Sequence, residues 1–406
     1  MTKNNQDILP ILRFPEFEGS WVEKSLSDFL TFKNGINAGK EAYGTGYKFI
    51  NVLDIINNDF ITHDDIIGSV NVSLDVFNKN IVEYGDILFQ RSSETRDEVG
   101  QANVYLDKNK SATFGGFVIR GKAKEEYDPL FMNALLKTTN ARKEITAKSG
   151  GSTRFNVGQG TLSSVRIFTT NINEQIKISA FLSTVDKRIK LLQTKKEELI
   201  KNKKGLMKKL FSQTIRFKDK NGNCFPIWRN KTLKEVSEIK MGQSPSSKSY
   251  NLEQIGLPLI QGNADIVNRL SRPRQWTDRP TKTCDIADIL LTVRAPVGAV
   301  AKSIHKACIG RGICSITNNA FSDLEFLYQF LIWFEPKWGS LEQGSTFSAV
   351  SGQDIRNLNI LIPDSLIEQK KIADFLKLID KSIENISQQI DSSLTFKQGL
   401  LRNMFV

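Results

Sequence analysis

Pro363-Asp364, followed by Glu368-Gln369-Lys370, offers the residue types of a metal-dependent phosphodiesterase: two carboxylates to hold a divalent cation and a lysine to steady developing charge. The spacing points elsewhere. Only three residues separate Asp364 from Glu368, whereas such carboxylates normally come from separate strands, and Glu368 stands three residues after Ser365, which is helix-capping spacing. A second copy of the stretch keeps Glu174 but has Thr170 and Ile176 where Asp364 and Lys370 stand. What the two copies share is a helix start.

No other catalytic pattern survives inspection. "GINAGKE" from Gly35 has one residue too few between its glycines for a phosphate-cradling loop and ends in Glu41 where that loop needs Ser or Thr. No Asn-Pro-Pro-aromatic or Asp-Pro-Pro-aromatic tetrapeptide marks an amino-methyltransferase. His63 and His305 are the two histidines, and neither has a matching nucleophile motif beside it. Cys224, Cys284, Cys308 and Cys314 form no C-x-x-C pair, so zinc ligation is not expected and free thiols in a reducing compartment are. The start, "MTKNNQDILPILRF", lacks an export signal, and no apolar run approaches the ~18 residues of a membrane span. We expect no membrane association and a cytoplasmic location. The net charge of +12 makes a polyanion, nucleic acid first, the expected partner.

Recognition, then, has to be positioned by the elements around it, and those are doubled. Glu174 to Phe211 lies on Glu368 to Phe405 at a constant shift of 194 residues with 13 identities in 38 positions and no gap. Both copies carry apolar residues at steps of three and four: Ile178, Phe181, Val185 and Ile189 in the first, Ile372, Phe375, Ile379 and Ile383 in the second. Neither contains proline. Asn171 with Glu174, and Ser365 with Glu368, have the spacing of capping boxes. Two such helices most simply bury their stripes against each other as an intramolecular coiled coil.

The segments between them echo one another as well. Arg13-Phe14 and Arg216-Phe217 are each followed by a tryptophan, Trp21 or Trp228, with Leu26 or Leu233 five residues on. Strand-like runs follow, "YKFINVLDI" against "LPLIQGNADI" and "GDILFQRSS" against "ADILLTVRA". Helix-like stretches come next, "DPLFMNALLKTTNARKEI" and "FSDLEFLYQFLIWF". The expected organisation is a domain at 1–170, a spacer helix at 171–213, a domain at 214–363 and a helix at 364–406. The expected class is α+β: two similar mixed α/β domains separated by two long helices that form an antiparallel coiled coil with pseudo-two-fold symmetry.

In this order and doubling the chain resembles the specificity subunits of type I restriction-modification enzymes. "RFPEFEGSW", "GDILFQRSSETRDEVGQA", "DILLTVRAPVGAVA", "EQIKISAFLSTVDKRI" and "EQKKIADFLKLIDKSI" carry the resemblance, which covers essentially the whole chain. It implies a non-catalytic subunit that binds a bipartite, asymmetric double-stranded DNA site and holds two modification subunits, which methylate adenine with S-adenosylmethionine. Two restriction subunits would complete an assembly that translocates DNA with ATP and magnesium and cleaves it. No cofactor is expected on this chain.

Base readout needs side chains that fork onto base edges, and phosphate contact needs cations, hydroxyls and backbone N–H groups. The candidate DNA-binding residues in the first domain are Arg91, Ser92, Ser93 and Arg96, with Thr153 and Arg154 in "GGSTRFN". In the second they are Gln243, Ser244 and Lys248 in "MGQSPSSKSY", Arg294, and Ser345, Thr346 and Ser348 in "GSTFSAV". From Glu174 to Gln213 eleven Lys and Arg face four acids, so Lys201, Lys203, Lys204, Lys208 and Lys209 are candidates for phosphate contact or for a solvated face. A coiled-coil adaptor whose domains bind proteins is the rival reading. An RNA-binding factor is a weaker one, because stacked aromatic motifs are scarce.

Overall fold

The computed structural model describes residues 8–341 and 349–406. By contact the chain falls into two units, Met1–Leu192 with Gln389–Val406, and Gln193–Gln388. Each of the two long helices therefore contributes one half to each unit.

The first unit is built on an antiparallel sheet of β1 (Leu30–Asn34), β2 (Ile87–Gln90), β3 (Ala102–Val104) and β4 (Val118–Ala123), in the order β1-β4-β2-β3. β2 is apolar at consecutive positions because both of its faces are covered. Ile87 and Phe89 join a core with Trp21, Phe131 and Ile145, while Leu88 between them enters a second core with Ile50, Ile61 and Phe114. Val22–Ser25 pairs antiparallel with Arg166–Thr169, which brings the start and end of the domain together just before the first long helix, α1 (Ile172–Phe211).

The second unit repeats the plan. β5 (Ser237–Met241), β6 (Ile289–Thr292), β7 (Val300–Lys302) and β8 (Ile313–Asn318) lie in the order β5-β8-β6-β7 within a six-stranded sheet. Ile289 and Leu291 face a core with Trp228 and Phe326, and Leu290 faces another with Ile260 and Ile309. Arg229–Thr232 and Asn359–Ile362 pair ahead of the second long helix, α2 (Leu366–Asn403).

At ~1.5 Å per residue, the 40 residues of α1 make a rod of roughly 60 Å. In the first unit Ile178, Leu182, Val185 and Ile189 of α1 share a core with Leu400 of α2 and with Met404 and Phe405 just beyond its end, and Asp186 pairs with Lys397 at 2.6 Å. In the second unit Met207, Leu210 and Phe211 share a core with Ile372, Ala373 and Leu376, and Lys203 pairs with Asp380 at 2.6 Å. Early residues of one helix meet late residues of the other, so the halves run antiparallel in both units. Asp380 is Asp186 displaced by 194 residues, and Lys397 is Lys203 so displaced, so one ion pair is made twice. The fold class expected from the sequence is the one observed.

Several local expectations change. Leu182 rather than Phe181 turns into the core; Phe181 is partly exposed and packs edge-on against Phe14 at 5.8 Å. The run "YKFINVLDI" is a strand only to Ile50, then a short helix, Val52–Ile56, because the Asn51 backbone N–H donates to Asp54 Oδ2 at 2.7 Å as a cap. Asn171 Oδ1 does accept the Glu174 N–H at 3.0 Å, but the Glu174 carboxylate does not complete a capping box. It is clasped instead by Arg13 Nε and Nη2, both at 2.7 Å, and Arg216 holds Glu368 in the same way at 3.0 and 2.8 Å. Lys203, a candidate for phosphate contact, is buried in its pair with Asp380 and does not face solvent. Lys201, Lys204, Lys208 and Lys209 are exposed. Among the described residues no helix is long and apolar enough to cross a membrane.

Candidate nucleic-acid interface

In the first domain β1 ends at Asn34 opposite Ile119, and β2 ends at Gln90 opposite Val118. The loops leaving both strands and the turn entering β4 therefore emerge at one end of the sheet. Backbone packs on backbone there: a Cβ on Gly35 would lie 2.1 Å from the Gly115 carbonyl oxygen. The Arg91 N–H donates to the Phe117 carbonyl at 2.8 Å, and its guanidinium Nη1 donates to the Gly116 carbonyl at 3.3 Å.

The second candidate loop reaches the same place. Phe155-Asn156 pairs antiparallel with Ser92-Ser93, and the Val157 N–H donates to the Arg91 carbonyl at 3.0 Å. The loop closes through Gly151, whose φ of +116° and a Cβ position 2.1 Å from the Arg154 carbonyl oxygen admit only glycine. Arg91, Ser92, Thr153 and Arg154 are thus brought together, with Thr153 and Arg154 exposed. Ser93 is buried and donates to Glu98 Oε2 at 2.9 Å. Arg96 is exposed, yet its guanidinium donates to the Thr146 and Ala147 carbonyls at 3.1 and 3.3 Å, the last turn of the helix Thr139–Ala147. Those two side chains have structural partners.

The second domain gathers the same parts. β5 ends at Met241 opposite Cys314, and β6 ends at Thr292 opposite Ile313. A Cβ on Gly242 would lie 2.1 Å from the Gly310 carbonyl oxygen. The Gln243 N–H donates to the Ile309 carbonyl at 2.9 Å, and Ser244 Oγ accepts the Arg311 N–H at 3.1 Å. Arg294 is exposed and bridges to Ala349, while the Val350 N–H donates to the Val293 carbonyl at 2.9 Å. Lys248 sits exposed in the tight turn Ser247–Ser249. Ser345, Thr346 and Ser348 lie outside the described residues.

Sequence reasoning named the loop Met241–Tyr250 and passed over its first-domain copy, Asn34–Tyr43. Gly35 packs as Gly242 does, and the Tyr43 hydroxyl donates to the Ala38 carbonyl at 3.3 Å as Tyr250 donates to that of Pro245 at 3.2 Å. The Gly-to-Tyr spacing, equal in both halves, was the available signal. It adds Asn37 and Lys40 to the candidate residues of the first domain.

Among the described residues nothing at either sheet end has the form of a catalytic centre. The strongly perturbed carboxyl of the first domain lies at the opposite end of β2: burial pushes Asp86 up to about 6, and it accepts the Glu83 N–H at 3.1 Å as a turn stabiliser. Asp364 is paired with Arg229 at 3.1 Å and Glu368 with Arg216, so the nuclease-like stretch is divided between two arginines. Among the described residues no group of three or more His, Cys, Asp or Glu could hold a metal ion.

Residues 18–201 and 227–395 match the type I restriction modification DNA specificity domain, one match in each half. The chain belongs to that family. A Methanocaldococcus jannaschii protein named putative type I restriction enzyme MjaX specificity subunit is 32% identical over 387 residues, which are 91% of this chain and 89% of that one. A chain solved in work on complex assembly and conformational transition of the type I R-M system shares the fold with a TM-score of 0.63 at 22% identity, over 95% of this chain and 97% of that one. The S subunit of a type I system from M. genitalium does so with a TM-score of 0.60 at 17% identity, over 98% and 99%. In this member of the specificity family each domain offers cationic and hydroxylic groups at one sheet end: Lys40, Arg91, Ser92 and Arg154 in the first, Ser244, Lys248, Arg294 and Arg311 in the second.

Proposed function

We propose that this chain is the DNA-reading subunit of a type I restriction-modification complex, in which the first domain reads one half of a bipartite asymmetric site and the second reads the other. The long helices set the spacing of the halves and dock two methyltransferase subunits. Two restriction subunits complete the assembly. Catalysis, and with it S-adenosylmethionine, ATP and magnesium, belongs to those partners, and the complex works in the cytoplasm. The observation that carries the reading is the doubling of the sheet end: two sites built from the same four strands, with the same backbone contacts at Gly35 and Gly242, bear different side chains. Equal scaffolds with unequal tips suit two unequal half-sites.

The test is a genome-wide map of adenine methylation in cells that express this chain with its modification subunits. One bipartite motif with a fixed spacer is expected. A stable complex that methylates without sequence preference would leave the protein-binding adaptor as the better account.

The exposed lysines of α1 bear on affinity. If they touch phosphates, replacing Lys201, Lys204, Lys208 and Lys209 by alanine weakens binding to all duplexes alike and reduces the slope of log K against log salt by about 3 to 4. A wild-type slope in a duplex-binding titration would show that this face is only solvated.

A further inference from the structure

From Ala112 to Gly121 every residue is buried except Phe117, which is 63% exposed at the turn into β4. A single exposed phenylalanine is unremarkable on a protein surface. This one stands on a rigid support at the centre of the candidate interface. Its carbonyl holds the Arg91 N–H, and the glycine two before it packs closely, since a Cβ on Gly115 would lie 3.0 Å from the Phe49 ring, while one on Gly116 would meet only the end of the Asn37 side chain. The turn carries one side chain outward, and that side chain is Phe117.

The second domain has the same turn with the side chain moved by one position. Gly310 packs on Gly242 as Gly115 packs on Gly35, and the Val293 N–H donates to the Gly312 carbonyl at 2.9 Å as Arg91 donates to that of Phe117. At the position of Phe117 stands Gly312, where a Cβ would lie 2.3 Å from the Gln261 carbonyl oxygen. At the position of Gly116 stands Arg311, exposed, with its N–H held by Ser244 and its guanidinium making no hydrogen bond among the described residues. Each tip therefore presents one side chain on a backbone already held by hydrogen bonds, so a ligand has no loop to order before meeting it. The chemistry of the two is opposite.

We infer that these turns are the base-reading tips of the two domains, an inference that rests on the DNA-reading function proposed above. Phe117 makes an apolar contact with a thymine methyl group in the major groove. Arg311 forks onto O6 and N7 of a guanine, the contact for which a free guanidinium is suited. The two half-sites then differ because one scaffold carries an apolar tip and the other a cationic one.

The experiment compares methylation maps of the complex containing wild-type chain, Phe117→Ala or Arg311→Ala. Phe117→Ala is expected to relax one A·T position in one half of the motif, and Arg311→Ala one G·C position in the other, each discrimination falling on the order of 10- to 100-fold. Both side chains are exposed, and circular dichroism of the purified variants should match wild type. A wild-type complex with no bipartite motif overturns the DNA-reading function and this inference with it. A wild-type motif that both variants reproduce at every position overturns the tips alone. Loss of methylation at all sites with no relaxed position also overturns them, since it would make these residues contributors to affinity and not to choice.

Discussion

Arg13→Ala is expected to destabilise the first unit by about 3–5 kcal/mol, the typical cost of leaving one member of a buried ion pair without its partner. The Glu174 side chain is 0% exposed and that of Arg13 14%, and the guanidinium meets both carboxylate oxygens at 2.7 Å. The remaining donors to Glu174, the Thr170 hydroxyl and Trp21 Nε1, carry no charge. Burial by itself pushes the Glu174 carboxyl up, but hydrogen bonds from Arg13 and Thr170 and the guanidinium's charge bring it below the usual carboxylate range. A lowered carboxyl stabilises the fold fully above its unfolded pKa, and that contribution fades as pH falls through the folded value. The gap between wild type and Arg13→Ala in urea unfolding should therefore be widest near neutrality and shrink below about pH 4. A difference under about 1 kcal/mol at pH 7 would mean that the pair behaves like a solvent-exposed one.

The second large effect concerns the last aromatic residue of each helix repeat. Phe405→Ala should cost the first unit about 3–5 kcal/mol, as should Phe211→Ala in the second, through lost burial and the cavity left behind. Phe405 is 5% exposed, with its ring 5.3 Å from that of Phe131 and 6.1 Å from that of Trp21. Phe211 is 4% exposed and packs among Phe326, Phe330 and Trp333 at 5.1 to 5.8 Å. Hydrogen exchange reads the units separately: Phe405→Ala should raise exchange in β1 to β4, and Phe211→Ala in β5 to β8. Equal loss of protection in both sheets from either variant would show that the aromatic contacts do not act within their own cores.

Both positions were visible in the sequence as the last of the repeat's identities, but not as anchors. Periodicity announces that a helix has an apolar stripe, and leaves open which domain the far end enters. Because α1 leaves the first domain and finishes among Phe326, Phe330 and Trp333, while α2 leaves the second and finishes against Trp21 and Phe131, each domain is closed by the helix that starts in the other. The paired glutamates had the same fate. Glu174 and Glu368 have cap spacing, yet a bidentate guanidinium outcompetes a single backbone N–H for a carboxylate. Lys203 read as one more cation on a basic rod until Asp380 was found opposite it.

Local chemistry alone determined much of this protein. The doubling, the two proline-free amphipathic helices and the fully buried strands beginning at Ile87 and Ile289 are patterns of residue type written along the chain, and they survive in the fold. Tertiary structure decided which loops meet. Arg91 and Arg154 are far apart in the chain and come together only because Ser92-Ser93 pairs with Phe155-Asn156. It also decided which tip residue can bear a side chain: Phe117 and Gly312 occupy the same place, and only the backbone of Gln261, pressed against Gly312, excludes a Cβ there. Exclusion of this kind depends on atoms distant in sequence and close in space, and no spacing of residues along the chain records it.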